Sequence, residues 1–121
     1  MEQKLKVVEI IKGDKVYNNI DLRELDVDNY IIVEKIYAEG MKFPSKFTKR
    51  VNGKDVEDFT YSIGIKYLGE NCSAWISSKQ HEDYKDCGGV GDKVKISKYK
   101  AEVKVKAGDL LVKRLKFEKV E

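Results

Sequence analysis

Proline appears once in 121 residues, as Pro44, and the nine glycines follow no fixed period, which excludes collagen-like and proline-rich architectures. The two cysteines, Cys72 and Cys87, are too few for a disulfide framework, and their spacing leaves open whether they pair with each other. A single histidine, His81, leaves little material for acid–base chemistry. No stretch approaches the ~18 consecutive apolar residues of a membrane helix, and the opening MEQKLKVVEIIKGD carries charges where a secretory leader would be apolar. The chain therefore reads as soluble and cytoplasmic, with no membrane partner. Net charge is scarce too: 24 bases against 21 acids give +3, so overall charge selects no polyanionic partner. Two glutamines beside so many bases suit a thermophilic source.

What is present is a rhythm of short β-branched and aromatic clusters separated by glycine, in a length that suits one domain. Apolar residues make up 41% of the chain, and their clustering argues for a packed core and against disorder. Leu5 to Ile11 reads as a strand ended by Gly13-Asp14, and Ile20 to Asn29 as either a short helical turn or an irregular approach. Tyr30 to Ala38 is a second strand. Residues 41 to 58 contain Pro44 and an Asn52-Gly53 pair, the strongest hairpin signal in the chain, and read as a protruding loop or β-arm. Phe59 to Leu68 alternates, with Phe59, Tyr61, Ile63, Ile65 and Tyr67 on one face and Thr60, Ser62, Gly64 and Lys66 on the other. In Asn71 to Ser77 the same rule turns Cys72, Ala74 and Ile76 inward and Trp75 outward.

Ser77 to Gln80 spells S-x-x-Q, a capping box that predicts a short helix through about Lys85. In Lys93 to Lys106 the apolar parity shifts from Val94 and Ile96 to Tyr99, Ala101, Val103 and Val105, which predicts a bulge near Ser97-Lys98. A turn at Ala107-Gly108-Asp109 leads into a last strand, Leu110 to Val120, with Leu111, Leu115 and Phe117 as inner residues.

From Tyr30 onward the order is strand, long arm, strand, strand, short helix, strand, strand. With the entry Gly91-Asp92-Lys93-Val94-Lys95-Ile96 into the fourth strand and the Lys106-Ala107-Gly108-Asp109 hairpin, this resembles an OB-fold nucleic-acid-binding domain, similar in layout to archaeal and viral single-stranded-DNA-binding proteins. The resemblance covers about residues 30 to 120. It implies a mainly β protein, a five-stranded barrel with one short helix between its third and fourth strands. It divides the chain into a domain at 30–121 and an N-terminal strand extension at 1–29 packing on the barrel. The work it implies is DNA replication or repair.

Charge placement says more than net charge. Between Met41 and Lys54 there are Lys42, Lys46, Lys49, Arg50 and Lys54 with no acid, and Phe43 and Phe47 are interleaved. Lys93 to Lys119 holds ten bases against three acids, whereas Asp21 to Glu39 holds six acids against Arg23 and Lys35. A single-stranded nucleic acid needs cations for its phosphates and flat rings for its bases, and the arm carries both. Trp75 adds a ring on the neighbouring strand, unless a one-residue bulge buries it. The expected binding set is therefore Lys42, Phe43, Lys46, Phe47, Lys49, Arg50, Lys66, Trp75 and Lys106. Against this stands the ordinary role of lysines alternating along a strand, which keep a solvent face soluble.

Cys72, His81 and Cys87 match no zinc-ligand spacing, and no phosphate-binding or dinucleotide fingerprint is present. A Cys–His nucleophile pair would lack an orienting acid and an oxyanion hole. The expectation is a non-catalytic protein with no cofactor and no metal that binds single-stranded DNA or RNA, DNA being preferred. The alternative is a protein-interaction or scaffold module using the acidic residues 21–39 or the 41–58 arm, in which a homodimer or another protein is the partner.

Overall fold

The computed structural model describes the backbone of all 121 residues and the side chains of all but residues 46–49, 51, 56 and 57. The described residues form β1 (Val8–Lys12), β2 (Lys15–Asn19), β3 (Tyr30–Lys35), β4 (Met41–Val51), β5 (Lys54–Tyr67), β6 (Glu70–Ser77), β7 (Lys93–Val105) and β8 (Gly108–Val120). A 3₁₀ turn occupies Leu22–Glu24, and one helix, α1, occupies Ser78–Lys85. The protein is mainly β with one short helix, as the alternation and the glycine punctuation predict.

Local chemistry sets the punctuation. Asn52 and Gly53 both take positive φ, +52° and +78°, the geometry of the two-residue turn that joins β4 to β5. Leu68 and Gly69 repeat it between β5 and β6 at +51° and +81°, forcing a leucine into the left-handed region. Ser77 opens α1 as expected: its hydroxyl accepts the Gln80 N–H at 3.2 Å, and the Gln80 side chain accepts the Ser77 N–H at 2.9 Å.

The strands form one sheet in the order β1-β2-β6-β5-β3-β7-β8, with β4 paired to β5 alongside β3. Every pairing is antiparallel except β2 with β6, so the sheet is mixed. It is also open. The closed five-stranded barrel expected from the sequence is not formed among the described residues, because the edge of β6 that closure would need is taken by β2. Asn19 pairs with Ser73 there, and the Ile20 N–H donates to the Ser73 carbonyl at 3.0 Å. Backbone groups satisfied by this N-terminal strand have no need of β8.

One face of the sheet is the core. Ile31 and Val33, Ile63 and Ile65, Ala74 and Ile76, Val94 and Ile96 meet across β3, β5, β6 and β7, each valine and isoleucine contributing on the order of 1.5–3 kcal/mol by burial. Tyr84 of α1 stacks edge-on against Phe117 of β8 and covers one end. Leu5, Ile20, Leu22 and Leu25, from the first 29 residues, belong to the same cluster.

Lys35 is buried among these groups, where its ammonium donates to the carbonyls of Tyr84 and Gly88 at 2.9 Å each and so caps the end of α1. Burial pushes its pKa below the usual lysine range.

Two expectations fail along β7 and β8. No bulge interrupts them: pairing runs in one register from Lys93 with Val120 to Val105 with Gly108. The apolar parity changes because the ribbon outruns the core, so Tyr99, Ala101 and Val103 lie on the face opposite Val94 and Ile96. For the same reason Leu111 is exposed rather than inner, beyond the reach of the core, while Phe117 is buried. Both cysteines are buried free thiols.

Candidate functional site

β5 organises the outer face. Its odd residues Ile63, Ile65 and Tyr67 are buried, so Thr60, Ser62, Gly64 and Lys66 look outward. Register then fixes their neighbours: Ser62 lies between Met41 of β4 and Trp75 of β6, Thr60 between Phe43 and Ser77, and Gly64 beside Ser73. Trp75 is 49% exposed, and the Phe43 ring meets it edge to face at 5.2 Å between centroids.

A third ring completes the row. The chain leaves β3 at Lys35 and re-enters the sheet at Met41, and between them Tyr37 lies over Gly64. A methyl group at Gly64 would sit 2.8 Å from Tyr37 Cδ2 and 3.0 Å from Cε2. A glycine inside a strand admits such an approach, and Tyr37 so seated is still 64% exposed. Tyr37, Trp75 and Phe43 thus form a strip of exposed aromatics set among small hydroxyl residues that leave the rings uncovered.

The connection carrying Tyr37 is pinned from within. The Gly40 N–H donates to His81 Nε2 at 2.9 Å, and the imidazole stacks flat on Tyr61 with centroids 3.8 Å apart and planes 4° off parallel. An accepting Nε2 requires a neutral ring with its proton on Nδ1. Burial pushes the His81 pKa below its ordinary value, in keeping with that state.

Beyond Trp75 a recess of about 340 Å³ is lined by Asn19, Ile20, Asp21, Leu22 and Arg23. There Arg23 donates from Nε and Nη2 to the Asp21 carboxylate at 3.0 and 2.9 Å, which holds that carboxyl below the usual range.

The predicted site residues divide. Phe43, Trp75 and Lys66 share the outer face. Lys42 does not: paired with Tyr61, it faces the other way, and its ammonium sits 3.8 Å over the Phe59 ring. Arg50 is tied across the arm to Asp55 at 3.5 Å. Lys106 lies at the turn of the β7–β8 hairpin, and β5, β3 and β7 stand between β8 and β6 in the sheet, so no pairing brings it to Trp75. Lys46, Phe47 and Lys49 lie outside the described side chains.

Sequence reasoning missed Tyr37. Its signal was Gly64, an unexplained glycine in a strong strand.

Cys87 Sγ donates to the Asp83 carbonyl at 3.3 Å and Cys72 Sγ to that of Glu70 at 3.6 Å; neither bond goes to His81, and burial raises both thiol pKa values. Among the described residues no group of three His, Cys, Asp or Glu side chains could hold a metal ion, and no helix is long and apolar enough to cross a membrane. Comparison of the chain with protein-family models, with curated proteins and with solved structures finds no match in any of the three.

Proposed function

We propose that this protein is a non-catalytic single-stranded nucleic-acid-binding domain of OB-like layout, DNA being the preferred ligand, and that bases stack along Tyr37, Trp75 and Phe43. The observation that carries the reading is the shared face of these rings: Phe43 and Trp75 from strands flanking β5, and Tyr37 laid over Gly64 from the connection before β4, with polar side chains too small to compete for their surfaces. Each stacked base contributes about 1–3 kcal/mol and tolerates any sequence, because every base has a π-face. Lys66, two residues past Gly64 on the same face, supplies a phosphate partner. The chain order of strand, arm, strand, strand, helix, strand, strand supports the OB-like layout, with β3 and β4 serving together as its first strand and β2 occupying the edge that a closed barrel would use.

The test uses Trp75 as its own reporter. Oligothymidylate should quench its emission, and the quenching should fall with added salt as released counterions dictate. Emission unchanged by oligothymidylate and by oligouridylate would refute the proposal.

A second reading has one observation in its favour. Among the described residues β4 pairs with β5 alone, so its far edge offers backbone groups to an extended peptide, although Pro44 interrupts the donors. Co-purification of a protein whose binding is abolished by proline at Phe43 but untouched by Trp75→Ala would favour this partner-binding role.

A further inference from the structure

The aromatic strip holds its rings in a nearly uncharged setting, yet a strand that stacks there must also place its phosphates. The cations for them lie farther along the same face. Register carries that face across the sheet. Lys66 is opposite Glu34 of β3, which is opposite Lys93 of β7; Ile32 is opposite Lys95; Tyr30 is opposite Ser97, which faces Lys116 of β8; and Tyr99 is opposite Arg114. All are outward residues, because their sequence neighbours Ile31, Val33, Val94, Ile96 and Phe117 are buried.

Lys95 holds its ammonium 4.5 Å over the centroid of the Tyr30 ring, a cation and an aromatic side by side on this face. Lys66, Lys93, Lys95, Arg114 and Lys116 share this surface with three acids, Glu34, Glu118 and Glu2, which bridges to Tyr30, and Lys116 lies 3.8 Å from Glu118. The balance favours an anionic ligand.

We infer that a bound single strand does not end at the strip but runs across β3 onto the outer face of β7 and β8, where Tyr30 and Lys95 form a second station and Arg114 and Lys116 hold the following phosphates. This rests on the proposed function and extends it to the length and path of the ligand. From the Trp75 row to the Tyr30 row the track crosses eight residues of strand, about 27 Å, within the span of the ~4–16 nucleotides that one such module occupies. The run of bases from Lys93 to Lys119 then has a binding role on its outward side.

The full chain is titrated with oligothymidylates of about four and about ten nucleotides, read by Trp75 emission at several ionic strengths. The longer strand should bind at least about tenfold tighter. The Lys95→Gln/Arg114→Gln variant should keep the affinity for the short strand within about twofold, lose the gain with length, and show a log–log salt slope shallower by about one unit on the long strand. Lys95→Arg should restore part of the gain, because it keeps the charge over the Tyr30 ring. A wild-type affinity that does not grow with length, or a gain that survives in the double variant, would overturn the extended track while leaving the strip intact. Absence of quenching by either oligonucleotide would instead overturn the strip, and the track with it.

Discussion

The seat of Tyr37 on Gly64 separates binding from stability, and Gly64→Ala is the change that does so. The added methyl would stand 2.8 Å from Tyr37 Cδ2, closer than carbon atoms approach, and something must shift. The backbone of β5 is held on both sides, by Ser73 of β6 and by the Ile36 N–H, which donates to the Gly64 carbonyl at 3.1 Å. The ring is the far end of a mostly exposed side chain, so it is the ring that moves.

Stability changes little. Glycine in a strand interior costs about 0.5–1 kcal/mol relative to alanine, a gain on substitution that offsets the packing lost by a half-solvated ring. Ligand affinity changes more. Losing one stacking surface of three removes about 1–3 kcal/mol, a fall of about 5- to 150-fold.

Urea unfolding and Trp75 titration on the same sample read the two effects apart. Tyr37→Ala should reproduce the affinity loss, and combining it with Gly64→Ala should add nothing further, the mark of two residues acting through one contact. Unchanged binding in Gly64→Ala, or losses that add in the double variant, would refute the seat.

Other outcomes follow from groups already described. The Tyr84 hydroxyl is buried without a hydrogen-bond partner among the described residues, and burial pushes its pKa up to about 12; Tyr84→Phe should therefore leave stability unchanged or raise it by about 1 kcal/mol, and a loss above about 1.5 kcal/mol in urea would expose a hidden partner. His81 is held neutral by burial and by the Gly40 N–H, with its folded-state pKa below the 6.5 of a free imidazole, so protons favour the unfolded chain. Stability should be level above about pH 7 and fall as the pH drops through 6.5 toward the lowered value; urea midpoints that stay flat between about pH 7 and pH 5 would contradict it. Leu68 sits at φ +51° with its side chain 58% exposed, so Leu68→Asn should raise the urea midpoint by the equivalent of about 0.5–1 kcal/mol, and a lower midpoint would show that the leucine packs usefully.

Much of this was legible where chemistry is local. Alternation in residues 59–67 and 71–77 put Ile63 and Ile65 inside and Trp75 outside; Asn52-Gly53 marked the arm's turn, and Ser77 with Gln80 marked the helix. What was hidden depended on distant partners. Lys15 to Asn19, KVYNN, has too weak an apolar pattern to announce a strand, and its pairing with Ser73 is what keeps the sheet open. The apolar residues after Ser97 look like a slipped core pattern because a sequence does not say where the core ends. Lys42 and Phe43 are neighbours in the chain, and they face opposite ways because residues 41–44 pair as a strand with β5 rather than forming a loop. Tyr37 reaches Gly64 through a connection that no periodicity describes.

The bond from the Leu5 N–H to the Tyr67 hydroxyl closes a span of 62 residues, and the pairing of Asn19 with Ser73 one of 54. A chain made from its N-terminus onward therefore emerges with Leu5, Ile20, Leu22 and Leu25 uncovered until the strands they pack against have followed. The hairpins β1–β2, β4–β5, β5–β6 and β7–β8 join near neighbours and should form before the long-range pairing of Asn19 with Ser73 closes. A ribosome-stalled product ending before β6 should thus remain a substrate for chaperones, its leading leucines and Ile20 still open to solvent.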